Sequence, residues 1–188
     1  MDRAVFIDRD GTVNEEMGYI NHPSRLRIFP EAFEAVRLLN RHGILAILAS
    51  NQAGLARGYF DERTLFKTHR RMLKEFSEHG AYFDLTLYSV YHPEAKIGRY
   101  RQDHPTIKPR RGLFDTAGKI FDIDTANSYT IGDRYRDILF GANTGLKTVF
   151  VLTGYGRGEY EAQRDGWKTQ PDHIAENILE GVKWILKR

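Results

Sequence analysis

Short runs of consecutive apolar residues recur along this chain, and each run stops at a polar or glycine-rich stretch. Ile44 to Ala49 is an unbroken apolar run of six residues, and Ala4 to Ile7 is an unbroken run of four. Lys147 to Leu152 ends in the apolar run Val149 to Leu152, and Ser128 to Ile131 is a shorter, mixed segment that also stops at a glycine. A strand covered by helices on both faces has an apolar side chain at nearly every position, whereas a half-exposed strand alternates. These segments therefore predict buried strands of a parallel sheet.

The segments between these runs have the apolar spacing of helices. We predict helices over Pro30 to His42, Asp61 to His79, Gly112 to about Ile120, Asp137 to Ala142 and Ala175 to Leu186, and further strands over Phe83 to Val90 and Asp172 to Ile174. Regular alternation of strand and helix predicts an α/β fold, a doubly wound, Rossmann-like and mostly parallel sheet with helices on both faces and no separate cap domain. A length of 188 residues fits one domain spanning 1–188.

Composition narrows the class of protein further. The chain has no cysteine, which excludes disulfides, thiol catalysis and zinc sites built on thiolates. No apolar run reaches the roughly 18 residues that a membrane span needs, and no signal peptide is recognised, so we expect a cytoplasmic protein without membrane contact. The net charge of +3 suits a small anionic substrate better than nucleic acid. A monomer is expected.

Two carboxylates, Asp8 and Asp10, come directly after the run Ala4 to Ile7. Positions two apart in a strand point the same way, so both carboxylates can converge just beyond the strand's carboxyl end. Neighbouring carboxylates resist joint ionisation unless a positive charge lies between them, and a divalent cation such as magnesium supplies it. The alternative is an ordinary turn made by Asp10 and Gly11 after a buried strand.

Polar side chains also follow other strands or the loops that leave them. The candidates are Asp8 and Asp10, Ser50 and Asn51, Lys108, and Asp133 with Asp137. Ligands of an open doubly wound sheet bind beyond the carboxyl ends of the strands, so these groups can share one site. Together they offer a nucleophile, a proton donor, a cation and hydrogen-bond donors, which is what phosphoryl transfer requires.

In order and spacing, these residues resemble the four motifs of the haloacid dehalogenase superfamily of phosphatases: Asp8 to Thr12, Ser50-Asn51, Lys108, and Gly132 to Asp137. Further stretches are similar to the branch that contains D-glycero-D-manno-heptose 1,7-bisphosphate phosphatase and histidinol-phosphate phosphatase: Asn51 to Gly58, His92-Pro93 and Lys108-Pro109. The resemblance covers Phe6 to about Gly158. It implies a magnesium-dependent phosphoric monoester hydrolase.

The resemblance also implies roles for individual residues. Asp8 would be the nucleophile that forms an aspartyl-phosphate, and Asp10 the general acid that later activates water. Lys108 would pair with Asp8 and with the phosphoryl oxygens. Ser50 and Asn51 would donate hydrogen bonds to those oxygens.

For the metal, the resemblance implies Mg²⁺ held by Asp8, by the backbone carbonyl of Asp10 and by Asp133. Two interpretations of Asp137 stay open. It either orients its neighbours in the site, or it is a carboxylate favoured by the dipole at a helix N-terminus.

The chain departs from this branch in the loop after the third strand. Relatives often bind a structural zinc there through cysteines and a histidine, but Ser89 to Thr106 has no cysteine. His92, Asp103 and His104 could in principle hold a metal, yet histidines in a polar loop are usually solvated. We therefore do not expect zinc.

A second departure lies next to Lys108. The family tends to have arginine directly before this lysine, where it can hold the substrate phosphate, and this chain has Ile107. We predict that Arg110 or Arg111 compensates by binding the phosphate with its planar fork of donors.

The substrate that these features favour is a small phosphorylated sugar, with heptose 1,7-bisphosphate ahead of histidinol phosphate or another small phosphomonoester. A receiver-type phosphoacceptor lacks an acid two residues after the acceptor, so Asp10 argues against that class. A nucleic-acid end phosphatase would use the basic third loop. We expect Val13 to Pro30 and Tyr91 to Lys108 to cover the site. The glycine-rich segment Thr153 to Gly158 is either a flexible loop, which we favour, or a loop that grips phosphate.

Overall fold

All six strands belong to one sheet in the computed structural model, which describes residues 1–188. The strands are Ala4–Ile7 (β1), Leu45–Asn51 (β2), Leu85–Ser89 (β3), Tyr129–Gly132 (β4), Lys147–Val151 (β5) and His173–Ala175 (β6). Their order is β3-β2-β1-β4-β5-β6, and every neighbouring pair is parallel. The predicted doubly wound parallel sheet is therefore confirmed.

Helices cover both faces of this sheet. They are Pro30–Arg41 (α1), Ala53–Ala56 (α2), Glu62–Glu78 (α3), Gly112–Ala117 (α4), Tyr135–Thr144 (α5), Gly156–Gln163 (α6) and Ile178–Ile185 (α7). The larger apolar cluster joins one face of the sheet to α1, α3 and α7, and a second cluster joins the other face to α4 and α5. None of the helices is both long and apolar enough to span a membrane.

Strand β1 shows why an unbroken apolar run predicts a central strand. Val5 and Ile7 point into the larger cluster, while Ala4 and Phe6 point into the second one. All four are at most 1% exposed, because each face of the sheet is closed by helices.

The strand order determines where a ligand-binding crevice forms at the edge of the sheet. From β1 the chain adds β2 and β3 on one side and β4, β5 and β6 on the other, so the connections diverge between β1 and β4. Ile7 pairs with Ile131 of β4 and with Leu48 of β2, so the carboxyl ends of these strands reach the same edge. A crevice forms at such a switch point.

The glycine-rich segment Thr153 to Gly158 is not a loop throughout, as the sequence had led us to expect. The segment is a turn that leads into α6, which begins at Gly156. A Cβ at Gly156 would lie 1.9 Å from the carbonyl oxygen of Val151, so glycine allows the new helix to start against the end of β5. Gly154 and Gly156 serve close packing here, a use that composition does not distinguish from flexibility.

The two long loops that were expected to cover the site do reach it. Val13 to Pro30 is anchored in the core by Val13, Ile20 and Leu26, and its Tyr19 lies at the cavity described below. Tyr91 to Lys108 contributes residues at both of its ends.

Candidate active site

A cavity of about 360 Å³ opens at the switch point, at the carboxyl edge of the sheet. Its walls come from the loops after β1, β2, β3 and β4 and from the turn before α6. The lining residues include Asp8, Asp10, Ser50, Asn51 and Lys108, which the sequence had predicted as candidates. The structure therefore brings together residues that are far apart in the chain.

Asp8 and Lys108 form a buried ion pair at the base of the cavity. The Nζ of Lys108 donates to the Oδ1 of Asp8 over 2.9 Å, and the two residues are only 4% and 3% exposed. Burial raises the pKa of Asp8, but the charges of Lys108 and Arg136 outweigh it, so this pKa lies below its ordinary value. Asp8 is therefore held as a carboxylate.

Asn51 fixes the backbone that carries Lys108. Its Oδ1 accepts from the backbone N–H of Lys108 over 3.0 Å, and its Nδ2 donates to the carbonyl of Lys108 over 3.2 Å. One amide side chain thus joins the end of β2 to the loop that follows β3. The predicted donation from Asn51 to a phosphoryl oxygen stays untested, while its contacts here position the lysine.

Asp133 is fully buried after β4 and is enclosed by glycines. Its Oδ2 accepts from the backbone N–H of Tyr155 over 2.8 Å. A Cβ at Gly11 or at Gly154 would lie 2.1 or 2.3 Å from that oxygen. Burial, together with the charges of Asp8 and Asp137, raises the pKa of Asp133 well above its ordinary value.

Asp137 makes both of the contacts that its two interpretations require. Its Oδ2 accepts from the backbone N–H of Arg134 over 3.2 Å at the start of α5, as an N-terminal carboxylate does. Its Oδ1 lies 2.6 Å from the Nζ of Lys108. Burial and the charge of Asp8 raise the pKa of Asp137, although Lys108 acts in the opposite direction.

The carboxylates of Asp8, Asp133 and Asp137 could hold a metal ion. One oxygen of each lies within 4.8 Å of the others, and the Oδ1 of Asp133 is buried without a hydrogen-bond partner. The carbonyl of Asp10 accepts no hydrogen bond from the protein backbone. Hard oxygen donors with a surplus of negative charge fit a divalent cation such as Mg²⁺.

Asp10 also lines the cavity, and its side chain is outside the group of carboxylates that could hold a metal. Arg9, itself 2% exposed, donates to both oxygens of Asp10, over 2.9 Å to Oδ1 and 2.8 Å to Oδ2. Gln52 donates to Oδ2 over 2.8 Å, and Asn14 donates to Oδ1 over 3.0 Å. The side chain of Asp10 is thus oriented from three directions and reaches the cavity without joining the acidic cluster.

Ser50 lies beside this network. Its Oγ accepts from the Nε2 of Gln52 over 3.2 Å, which leaves the hydroxyl hydrogen available to a ligand in the cavity. Gln52 therefore links Ser50 to Asp10, a function that the sequence had not suggested.

Arg110 and Arg111 do not line the cavity. Arg110 donates to Asp103 over 2.7 Å, and Arg111 donates to Asp115 over 2.8 Å, both at the surface. The structure therefore does not bring either arginine into the cavity. Ile107 itself is part of the cavity wall.

Two other arginines, Arg57 and Arg136, line the cavity and were not among the sequence-based candidates. Arg136 lies beside the acidic cluster, where its charge contributes to the lowered pKa of Asp8. The available signal was the position of each arginine just after a strand-end motif. Glu16 also lines the cavity, and burial together with Asp10 raises its pKa.

The geometry suits attack by a carboxylate on a phosphate group. A deprotonated Asp8 faces the cavity beside the positive charges of Lys108 and Arg136, and the carboxyl group of Asp10 lines the same cavity on its own set of hydrogen bonds. Such preorganised charges stabilise the oxygens of a phosphoryl group during transfer.

Comparisons with known proteins agree with this geometry. The family model described as "HAD-hyrolase-like" matches residues 106–181. D-glycero-beta-D-manno-heptose-1,7-bisphosphate 7-phosphatase of Pasteurella multocida is 35% identical over 98% of this chain and 97% of that protein. The protein of the same name from Haemophilus influenzae is 32% identical over 100% of this chain and 98% of its own.

Among solved structures, this chain resembles D,D-heptose 1.7-bisphosphate phosphatase from B. bronchiseptica, complexed with magnesium and phosphate. The TM-score is 0.86 and the sequence identity 25%, and the match covers 98% of each chain. Both the fold and the length of the chain are therefore those of these relatives.

Proposed function

This chain belongs to the haloacid dehalogenase-like phosphatases, and we propose that it removes the 7-phosphate of D-glycero-D-manno-heptose 1,7-bisphosphate. The main observation in support of this reaction is the buried ion pair of Asp8 with Lys108, at the base of a cavity lined by further cations. The names of the full-length relatives at 32% to 35% identity support the substrate.

We propose Mg²⁺ as the cofactor, bound by Asp8, Asp133 and the backbone carbonyl of Asp10. The unpartnered Oδ1 of Asp133 and the acidic cluster support this assignment, as does the magnesium in the B. bronchiseptica structure. When bound, the ion neutralises charge on the phosphoryl oxygens and on the carboxylate that attacks. Asp137 stays engaged with Lys108 and with the start of α5.

In the first step, a carboxylate oxygen of Asp8 attacks phosphorus and the bond from phosphorus to the sugar oxygen breaks. Asp10 gives its proton to the departing alkoxide. In the second step, Asp10 takes a proton from water, the water oxygen attacks the aspartyl-phosphate, and Asp8 and inorganic phosphate are released. The fork of Arg9 and the amide of Gln52 aim Asp10 for both transfers.

The phosphoryl oxygens would be held by the cationic wall of the cavity. Lys108 and Arg136 supply charge next to Asp8, and the hydroxyl of Ser50 supplies a neutral donor. We assign Asn51 to positioning Lys108, because its amide spans the lysine's backbone. We assign no phosphate-binding role to Arg110 or Arg111.

The function is tested by measuring phosphate release from heptose 1,7-bisphosphate, histidinol phosphate and simple sugar phosphates, with and without Mg²⁺. We expect the bisphosphate to be preferred, the 1-phosphate to be retained in the product, and chelation to abolish turnover. D10N should lower kcat by about 10²–10⁴-fold, because it removes the acid and base. D103N, at an exposed carboxylate outside the cavity, is the matched control. A preference for histidinol phosphate, or full activity of D10N, would contradict the proposal.

We further propose that residues 1–188 act as one domain, as a monomer and in the cytoplasm. The single sheet that includes every strand supports the first statement. The other two stay predictions from the sequence.

A further inference from the structure

Five cationic side chains line the cavity, and only two of them lack a carboxylate partner. Arg9, Lys108 and Arg134 each form an ion pair. Arg57 and Arg136 have no carboxylate within 4.0 Å. A guanidinium remains charged at any physiological pH. The charges of Asp137, Asp8 and Asp133 act on Arg136, so Arg57 is the cation of the cavity that nearby carboxylates do not balance.

These two arginines lie on opposite sides of β1. Arg136 is on α5, which follows β4 and flanks the acidic cluster. Arg57 follows α2 and the end of β2, and it contacts the loop that leaves β3. In the order β3-β2-β1-β4, Asp8 therefore sits between Arg57 and Arg136. The arrangement matches a ligand with an anionic group at each end.

The partner of Arg57 is His92, and their contact is incomplete. A terminal nitrogen of Arg57 lies 3.0 Å from the Nε2 of His92, while the backbone N–H of Glu94 donates to the Nδ1 of the same ring over 3.1 Å. A neutral imidazole has one acceptor nitrogen and one N–H. If Nδ1 accepts from Glu94, then Nε2 carries the hydrogen, and two donors face each other.

An oxygen with free lone pairs resolves this conflict by accepting from both groups. The Nε of Arg57 is also buried without a partner, so this side chain offers more donors than the protein satisfies. Phosphate oxygens accept strongly from guanidinium and imidazole groups. The contact is therefore suited to an oxyanion.

The segments that carry Arg57 and His92 are docked firmly on each other. The backbone N–H of Ile97 donates to the carbonyl of Ala56 over 3.2 Å. Around that bond, Leu55 and Ala56 share an apolar cluster with Ala95 and Tyr100. The two donors are therefore held in place before any ligand binds, which reduces the entropy cost of binding.

We propose that Arg57 and His92 form a second oxyanion subsite, which binds the phosphate of the substrate that is not cleaved. The ligand class is a sugar carrying two phosphate groups, one at the Asp8 end of the cavity and one at the Arg57 end. The inference rests on the proposed function for the identity of that sugar, but the subsite itself rests on the donors described above.

The first experiment compares R57Q with R63Q, a control at an exposed arginine without an ion pair in α3. The measured quantity is kcat/KM for heptose 1,7-bisphosphate divided by kcat/KM for heptose 7-phosphate. We expect this ratio to fall roughly tenfold or more in R57Q, mainly through KM of the bisphosphate, because a charge-assisted hydrogen bond is lost. The ratio in R63Q should equal that of wild type. An unchanged ratio in R57Q overturns the inference.

The second experiment does not depend on turnover. Inorganic phosphate is titrated into the full-length protein with Mg²⁺ while the ring nitrogens of His92 are followed by ¹⁵N NMR, with H92Q identifying their signals. We expect a saturable shift in wild type and a midpoint at least roughly tenfold higher in R57Q. No shift of this ring across the titration overturns the subsite. A shift in a protein that does not hydrolyse the bisphosphate retains the subsite and rejects the proposed function instead.

Discussion

At the scale of single residues, Gly11 and Gly154 determine how closely the backbone approaches Asp133. Both have positive φ, 81° and 57°, which side-chain-bearing residues rarely adopt. A Cβ at either position would overlap the carboxylate. These glycines therefore shape the part of the site where the metal is proposed to bind.

We expect G154A to destabilise the protein by about 2 kcal/mol or more, because it adds backbone strain and overlap with Asp133. It should also weaken Mg²⁺ binding, since Tyr155 donates to the same carboxylate. Denaturant unfolding and a metal titration measure the two effects.

The control for this change is G158A. Gly158 lies within α6, and a Cβ there meets nothing within 4 Å. Alanine is a better helix former by roughly 1 kcal/mol, so G158A should match or exceed the wild-type stability. Equal losses in both variants would show that the fit around Asp133 is not the cause.

Single residues could be predicted where their own chemistry and place in the chain identify them, and not where their role depends on contacts in the folded protein. Asp8, Asp10 and Lys108 were predictable, because their chemistry is visible at strand ends. The sequence could not predict that Arg57 and Arg136 line the cavity without a direct ion pair, because ion pairing depends on the three-dimensional structure.

At the scale of elements, α3 and β3 are joined behind the site by His69 and Tyr88. The Nδ1 of His69 lies 3.0 Å from the hydroxyl of Tyr88, and the guanidinium of Arg9 lies 5.8 Å from the centre of the Tyr88 ring. Helix α3 is therefore connected, through β3, to the arginine that orients Asp10.

This contact predicts a pH dependence of stability. Burial, followed by the charge of Arg9, lowers the pKa of His69. A histidine in an unfolded chain titrates near about pH 6.5, so below that pH the unfolded state binds more protons at this site. Well above the unfolded pKa, His69 costs no stability. As the pH falls below the unfolded pKa toward the lower pKa of His69 in the folded protein, the free energy of unfolding decreases progressively.

H69Q removes this titration. Between about pH 7.5 and 5.5, on either side of the unfolded pKa, wild type should lose more unfolding free energy than H69Q. H22Q, at an exposed histidine, should behave as wild type. Denaturant melts at both pH values give the comparison, and parallel losses in wild type and H69Q would refute the assignment.

Most elements could be predicted at this scale, because apolar runs and caps are local signals. Strand β1 has the predicted bounds, and Asp61 caps α3 by accepting from the N–H of Thr64. Helix α6 was missed, because glycines that allow its close start against β5 lower its intrinsic helix propensity.

At the scale of the whole molecule, the fold gathers more negative than positive charge at the sheet edge. When all three carboxylates are ionised, Asp8, Asp133 and Asp137 carry three negative charges and Lys108 with Arg136 carries two positive ones, so one negative charge is left over. Burial makes that excess unfavourable in the metal-free protein.

We therefore expect Mg²⁺ to stabilise the folded wild type, by about 2.7 kcal/mol at a hundred times its dissociation constant. D133N should lose this metal-dependent gain. Its metal-free form should be at least as stable as wild type, since the amide can still accept from Tyr155 without adding charge. Thermal melts with Mg²⁺ and with EDTA test both statements, and a full Mg²⁺ gain in D133N would contradict the proposed ligand.

The sequence by itself determined the strands, most helices and the carboxylates that follow β1 and β4, because apolar runs and their polar ends are properties of neighbouring residues. Only the tertiary structure decided which cations face the cavity. Arg110 and Arg111 are near Lys108 in the chain but pair at the surface, whereas Arg57 meets His92 inside. The physical reason is the strand order, which joins loops from distant parts of the chain and which no local spacing encodes.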